Sequence, residues 1–237
     1  MVGSNFTADG HHAFRHGKAE QLEREKPEKR SAHFAVEGFE LRLLAALEAR
    51  DGYTGEHSRT VMSLAVEVAR QMGLPEEEVG VVGRAALLHD VGKASTPDVI
   101  LKKRGPLDDE EQAVMQEHVE VGAHMVGSVL GLKHLAPIIR ATHERWDGKG
   151  YPDGLSGEQI PLASRIIHAC DAWHAMTSDR PYRLALRVET RIREFQNNMG
   201  KQFDPRVVSA LVEVLKTCYL LPPEERELMV GAALCSA

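Results

Sequence analysis

The sequence is poor in cysteine. Of 237 residues only three are cysteines, Cys170, Cys218 and Cys235, and none shares a CxxC spacing. A disulfide framework is therefore not expected, and a reducing, cytoplasmic setting is. No apolar run is long enough to cross a bilayer, so no membrane insertion is expected. The opening stretch MVGSNFTADGHHAFRHGK lacks the apolar core of a secretory signal. Positive charge is not in excess either. Lys and Arg number 29 against 35 Asp and Glu, a formal charge of −6, which disfavours a broad surface for duplex nucleic acid but leaves room for a local basic pocket. Sustained alternation of β-branched residues is missing, so no sheet is required, and there is no internal repeat. What is present is a 43% apolar, 27% charged composition, as expected of a soluble globular core rather than a disordered polyampholyte. The length suits one ordinary domain with an appendage, or two small domains. Twelve histidines stand out, most of them beside Asp, Glu or Gly in the middle of the chain.

Residues 1–35 read as a polar tail or linker. KAEQLEREKPEKR is almost wholly polar and carries Pro27, which fits a solvated helix or disorder. The nearby His11, His12 and His16 read as part of a solvated tail, with no rigid scaffold to make them a metal site. From Phe39 the pattern is helical, with Phe39, Leu43, Leu44 and Leu47 at three- and four-residue spacing. A second helix follows the Asp51-Gly52 turn and stops at Gly73. Pro75 and Glu76 to Glu78 open a third, which runs through AALLHD to about Gly92. A polar, turn-rich loop passes Pro97 and Gly105-Pro106, and Asp108 is a plausible N-cap for the next helix. Further helices are expected around 135–145, 162–177, 188–198 and 205–218. WDGKGYPDGLSGEQIP between them must be a loop. The expected fold is all-α: a helical bundle with a metal centre in its core, spanning 36–220 and followed by a C-terminal helix or tail, 221–237.

His89-Asp90 is the first chemical signal. It ends a helix that is apolar just before it, where a polar or charged pair is costly without compensation. A bound cation would satisfy both residues, and imidazole plus carboxylate suits Fe, Mn, Co, Ni or Zn. Gly92 allows close backbone approach to a ligand, and Lys93 adds a cation suited to phosphate. Taken alone, an adjacent His-Asp is as well read as a capped, hydrogen-bonded pair. His57, His118, His143 and Asp171 accompany it from different helices, the way bundle cores assemble metal sites.

These residues sit in longer strings: YTGEHSRT, LLHDVGKASTPDVILKKRGPLDDEE, HVEVG, HERWDGKGYPDGLSGEQIPLASRI and DAWHAMTSDRPYR. In this order they resemble the HD-GYP branch of the HD-domain metal-dependent phosphohydrolases, over roughly residues 37 to 215. HDxGK alone would fit any HD protein; ERWDGxGYP with SDRPYR narrows the resemblance to this branch. It implies an all-α bundle with two or three metals and hydrolysis of cyclic di-GMP, a bacterial second messenger, to pGpG or GMP. The implied ligands are His57, His89, Asp90, His118, His143 and Asp171 around two divalent ions, Fe or Mn first, with Zn, Ni or Co as alternatives. Asp90 would bridge the two ions, and Lys93 would meet the phosphate, making this pair the catalytic residues. Arg180 and Arg183 would help hold the substrate. The implied mechanism is in-line attack on phosphorus by a hydroxide shared between two cations, with growing oxygen charge offset by Lys93 and the metals. Either His118 or a bound water would protonate the leaving oxygen. Implied partners are the cyclic dinucleotide and a diguanylate cyclase or sensory-domain protein; a second copy in a homodimer is a further candidate.

The chain departs from the family pattern in three places. Thr142 stands where the family commonly has a second histidine, so a ligand to one metal is lost. Tyr53 replaces the Glu of the three-metal members, which makes a third metal unexpected; Glu56, next to His57, points elsewhere on a helix. His174 replaces a more usual Asp. His168 and His174 flank Asp171 at three-residue spacing, and either could compensate for the lost ligand or sit behind the ligands as a hydrogen-bond partner. Gly150-Tyr151-Pro152 reads as a loop-shaping element. Trp146 and Trp173 read as core anchors rather than base-stacking platforms. Three competing readings remain: an HD nucleotide phosphohydrolase of other specificity, a catalytically weak module that binds a ligand or partner, and a diiron oxygenase. The phosphate-suited Lys93, Arg180 and Arg183 favour the last least.

Overall fold

The computed structural model describes residues 52–177 and 188–220. The expected tail, the helix from Phe39, the C-terminal segment 221–237, and Arg180 and Arg183 all lie outside the described residues. Among the described residues the chain is helical, and the only β-type pairing is an isolated bridge between Met199 and Phe203. No helix among them is long and apolar enough to cross a membrane.

The first helix, α1, spans Gly52–Gln71. It stops where Gly73 adopts φ 77°, a left-handed conformation that glycine takes without a Cβ penalty. Helix α2 spans Glu76–Leu88, with three glutamates in its first turn against the helix dipole. It ends earlier than the sequence pattern suggests: His89 is its C-cap, and a short 3-10 helix, Val91–Ser95, follows. The turn-rich loop after it contains one turn of helix, α3, Asp98–Leu101, directly behind Pro97. Asp108 caps α4, Asp109–Gln116, in a reciprocal capping box with Glu111. Helix α5, His118–Gly127, restarts after a single break at Glu117.

The expected helix at 135–145 is shorter. Lys133–Leu135 form a 3-10 turn, and α6 covers only Ala136–Arg140. Beyond it, the amides of Ala141 and Thr142 bond three residues back, to Ile138 and Ile139 at 3.2 Å each. The Thr142 hydroxyl donates to the Ile139 carbonyl at 2.8 Å as well. Such back-bonding competes with helix propagation and releases His143 into an irregular turn. After the long loop, which contains a 3-10 turn at Gly157–Gln159, come α7 (Leu162–Thr177), α8 (Val188–Asn197) and α9 (Pro205–Leu220). Helix α1 packs on α2, α7 and α9, and α7 packs on α2 and α9 as well. Their shared interior holds Leu64, Val68, Ala86, Ile166, Cys170, Trp173, Val208 and Leu211, all buried. That apolar contact is the main driving force for the bundle. Trp173 is a core anchor, fully buried, whereas Trp146 is half-buried with the Arg165 guanidinium 5.6 Å from its ring centroid.

Candidate metal centre

Five elements bring the candidate ligands together. His57 comes from α1, His89 from the end of α2 with Asp90 next to it, His118 from the first residue of α5, His143 from the turn after α6, and Asp171 from α7. Their donor atoms fall into two groups, each within 4.8 Å: His57, His89 and Asp171, and Asp90, His118 and His143. Asp90 stands between them. Its Oδ2 lies 3.5 Å from His89 Nε2 and 3.7 Å from His57 Nε2, while its Oδ1 lies 3.5 Å from His118 Nε2. Lys93, one turn on, puts its ammonium 2.6 Å from Asp90 Oδ2. His57 Nε2 is also 3.1 Å from Asp171 Oδ1.

The backs of the rings decide what their fronts can do. His89 Nδ1 is 2.7 Å from the Ala86 carbonyl, and His118 Nδ1 is 2.7 Å from the Met115 carbonyl. A carbonyl only accepts, so each Nδ1 carries the proton and each Nε2 keeps a lone pair. Those Nε2 atoms, together with Asp90 Oδ1 and His143 Nε2, are buried with no hydrogen-bond partner. Leaving each one unmet costs about 1–3 kcal/mol. A cation meets such lone pairs together, and the neutral-imidazole and carboxylate donor set is the one borderline metals take. The residues fit a metal.

Charge arithmetic agrees. Burial alone would raise the Asp90 carboxyl, but His89, Lys93, His118 and His57 around it hold it well below its ordinary range. Asp171 is likewise held low: burial opposes its charge, and the His57 hydrogen bond and the surrounding imidazoles more than offset it. Burial pushes His118 down, against the pull of Asp90, and pushes His143 to about 3. Both carboxylates are thus ionised and both of these imidazoles neutral at pH 7, as ligands must be.

His168 and His174 fall in neither group. His174 Nδ1 is 2.7 Å from His57 Nδ1, so it sits behind a candidate ligand. His168 Nδ1 lies 3.0 Å from the Thr142 carbonyl, and its Nε2 is 3.3 Å from the Gln202 side-chain nitrogen. Gln202, 34 residues further along, gave no signal in the sequence. Gly92 makes room for protein rather than ligand. A Cβ there would lie 1.9 Å from the His118 carbonyl oxygen and 2.6 Å from the Gly122 nitrogen. The chain passes directly against α5, which joins Asp90 to His118. Glu56 is exposed, pointing away from the centre.

The long loop closes over His143. Tyr151 stacks on its ring, with centroids 5.2 Å apart and planes at 13°. Gly150 runs so close that a Cβ would lie 2.4 Å from Arg145 N and 2.6 Å from the His143 carbonyl. Buried Glu144 accepts from the Asp153 amide at 2.7 Å, and Asp153 meets Arg140 in two hydrogen bonds of 2.7 and 2.8 Å. A tyrosine read from the sequence as packing in a loop thus packs on a candidate ligand.

The family model described as the HD domain matches residues 43–207. The chain is 40% identical over 181 residues to the cyclic di-GMP phosphodiesterase response regulator RpfG of Xanthomonas campestris pv. campestris, covering 72% of this chain and 46% of RpfG. It is 40% identical over 173 residues to 3'3'-cGAMP-specific phosphodiesterase 2 of Vibrio cholerae serotype O1, covering 72% of this chain and 33% of that protein. Among solved structures, the cyclic GMP-AMP specific phosphodiesterase V-cGAP3 of V. cholerae shares the fold at a TM-score of 0.58 and 19% identity, over 84% of this chain and 54% of that one. A helical bundle with this cluster in its core defines an HD-type domain, and the chain belongs to the HD-domain family, in its HD-GYP branch. It spans less than half the length of either of these curated relatives.

Proposed function

We propose that the chain is a metal-dependent phosphodiesterase that hydrolyses a cyclic dinucleotide, cyclic di-GMP first, to pGpG or GMP. The observation that carries the reading is the set of buried, unpartnered lone pairs converging on Asp90 from His89, His118 and His143. His57, His89 and Asp171 would hold one divalent ion and His118 and His143 another, with Asp90 shared; iron or manganese suits the donors best. When bound, such ions supply Lewis acidity and a nucleophile from water at neutral pH. The protein's own groups do the rest. The Ala86 and Met115 carbonyls hold His89 and His118 in the ligating tautomer. With its proton directed at the Met115 carbonyl, His118 is not placed to give it to a leaving oxygen, which favours solvent as the donor. Lys93 is part-exposed and already directed at Asp90, so its ammonium can reach a phosphate oxygen at the rim of the centre. Arg180 and Arg183 belong to the same proposal as holders of phosphate and guanine.

Two relatives with 40% identity are named for different cyclic dinucleotides. The experiment is therefore incubation of metal-loaded protein with cyclic di-GMP and, separately, 3'3'-cGAMP, with products separated by chromatography. Linear dinucleotide or mononucleotide from cyclic di-GMP supports the reading. Cleavage of 3'3'-cGAMP alone would move the specificity. Cleavage of only a chromogenic bis-ester would leave a general phosphohydrolase, and binding without cleavage would leave a recognition module. The catalytic unit is proposed to be 36–220, in a reducing cytoplasmic setting, with a diguanylate cyclase, a sensory-domain protein or a second copy as partner.

A further inference from the structure

The candidate ligands are not held alike. Three imidazoles have the nitrogen facing away from the centre fixed by a hydrogen bond of 2.7 Å: His57 by His174, His89 by Ala86 O, and His118 by Met115 O. These three rise from helix α1 or from helix ends. His143 makes no such ring bond among the described residues. It comes from the irregular turn after α6 and is held through Tyr151 stacked on its face and through the His168 bond to the carbonyl just before it. Thr142 next to it offers no further side-chain donor, because its hydroxyl is turned to Ile139 O. The group around His57, His89 and Asp171 owns three ligands besides the shared Asp90; the other owns only His118 and His143.

We propose that the two cation positions are unequal: the one built on His118, His143 and shared Asp90 binds its ion more weakly and releases it first, and Tyr151 is the positioning residue that makes it bind at all. The inference rests on the two-cation reading above. A hydrogen bond behind a ligating imidazole is commonly worth about 10–100-fold in metal affinity, which sets the expected gap between the positions. Stacking restrains the tilt of the His143 ring but, unlike a hydrogen bond to Nδ1, does not raise the basicity of Nε2. The loop that carries Tyr151 thereby connects occupancy of one position to its own conformation.

The test is equilibrium dialysis of the full, metal-stripped chain against chelator-buffered Mn²⁺, with bound manganese counted by elemental mass spectrometry. The expected curve has two steps, one equivalent each, separated by about 10–100-fold in free Mn²⁺. Tyr151→Leu, which keeps bulk but removes the aromatic face, should move the second step to higher Mn²⁺ and leave the first in place. Tyr151→Phe should leave both steps where they are. A thermal melt on each variant separates a shifted step from a loss of fold. Two equivalents bound in one step, or a Tyr151→Leu protein whose steps move together, would overturn the inequality while leaving the two-cation reading intact. Saturation at one equivalent or none would overturn both.

Discussion

The two halves of the centre teach different lessons about precision. In the first half, His57 and Asp171 project from the interiors of α1 and α7, sixteen or more residues long, with His89 at the end of α2. Bundle packing fixes their backbones, the Ala86 carbonyl fixes the His89 tautomer, and His174 holds the His57 ring in place. In the second half, His143 is held by a loop. That loop is itself tied down by Gly150 against residues 143–145, by Glu144 on the Asp153 amide, and by Arg140 on the Asp153 side chain. Rigid elements give precision, and loops give adjustability. A centre with His143 alone on a loop and its other candidate ligands on helices or helix ends fits the proposal that one ion is kept while the other exchanges.

The sharpest way to break the comparison is to remove what the halves share. Asp90→Asn takes the charge from the carboxylate between the two groups. The proposed activity on cyclic di-GMP should fall by roughly 10²–10³-fold or more, and manganese counting should show the second equivalent lost and the first weakened. An Asp90→Asn protein with full rate would remove Asp90 from the centre.

Two glycine substitutions then separate the halves. Gly92→Ala places a Cβ 1.9 Å from the His118 carbonyl oxygen, and Gly150→Ala places one 2.4 Å from Arg145 N. Both contacts are with backbone, so each should cost about 1–3 kcal/mol or more in stability, read as a lowered melting temperature. Their metal readouts should differ. Gly92→Ala displaces the Asp90 segment from α5 and should disturb both cation positions, whereas Gly150→Ala should disturb only the one served by His143. Equal effects from both would mean that the loop and the helical frame are one unit.

Much of this was legible in the sequence, and the reason is periodicity. Helix α7 at Leu162–Thr177 and α9 from Pro205 follow the apolar spacing and the proline start, and Asp108 acts as the N-cap it resembles. The candidate ligands were marked by residue type, because His beside Asp after the apolar AALL has no apolar explanation. What the pattern hid was the end of α6. Thr142 side-chain bonding to Ile139 O stops the helix, and no hydrophobic spacing reports a side chain competing with the backbone. Also hidden were contacts between distant segments, such as Gln202 with His168 and His174 with His57. Their partners are 34 and 117 residues away, so only the packed fold discloses that His174 meets the His57 ring and that His168 meets Gln202 and the carbonyl before His143.

His174 offers the next test on the helical side. His174→Ala removes the group on His57 Nδ1 at 2.7 Å. Affinity at the first cation position should fall about 10–100-fold, with the second step of the manganese curve much less affected. Because His174 is buried at 4% exposure, a melt is needed beside it. His174→Asn, which can still present an amide to the ring, should recover part of the affinity. No recovery together with an unchanged melt would assign His174 a packing role alone.

The smallest expected effect lies at the edge of the loop. Arg140 bonds Asp153 through two nitrogens and reaches Glu120 on α5 at 3.0 Å, but its side chain is 37% exposed and that of Asp153 40%. Solvent screens such a pair, so Arg140→Ala should cost only about 0.2–1 kcal/mol. Its pH signature is definite in sign. The Arg140 hydrogen bonds hold the Asp153 carboxyl below its ordinary value of 3.8. A group depressed on folding stabilises the fold above its unfolded value and loses that contribution as pH falls through its folded one. Melting temperatures of wild type and Arg140→Ala should therefore differ slightly at neutral pH and converge as the pH drops below 3.8. A gap that persists at lower pH would show that Arg140 braces the loop through packing of its aliphatic stem rather than through charge.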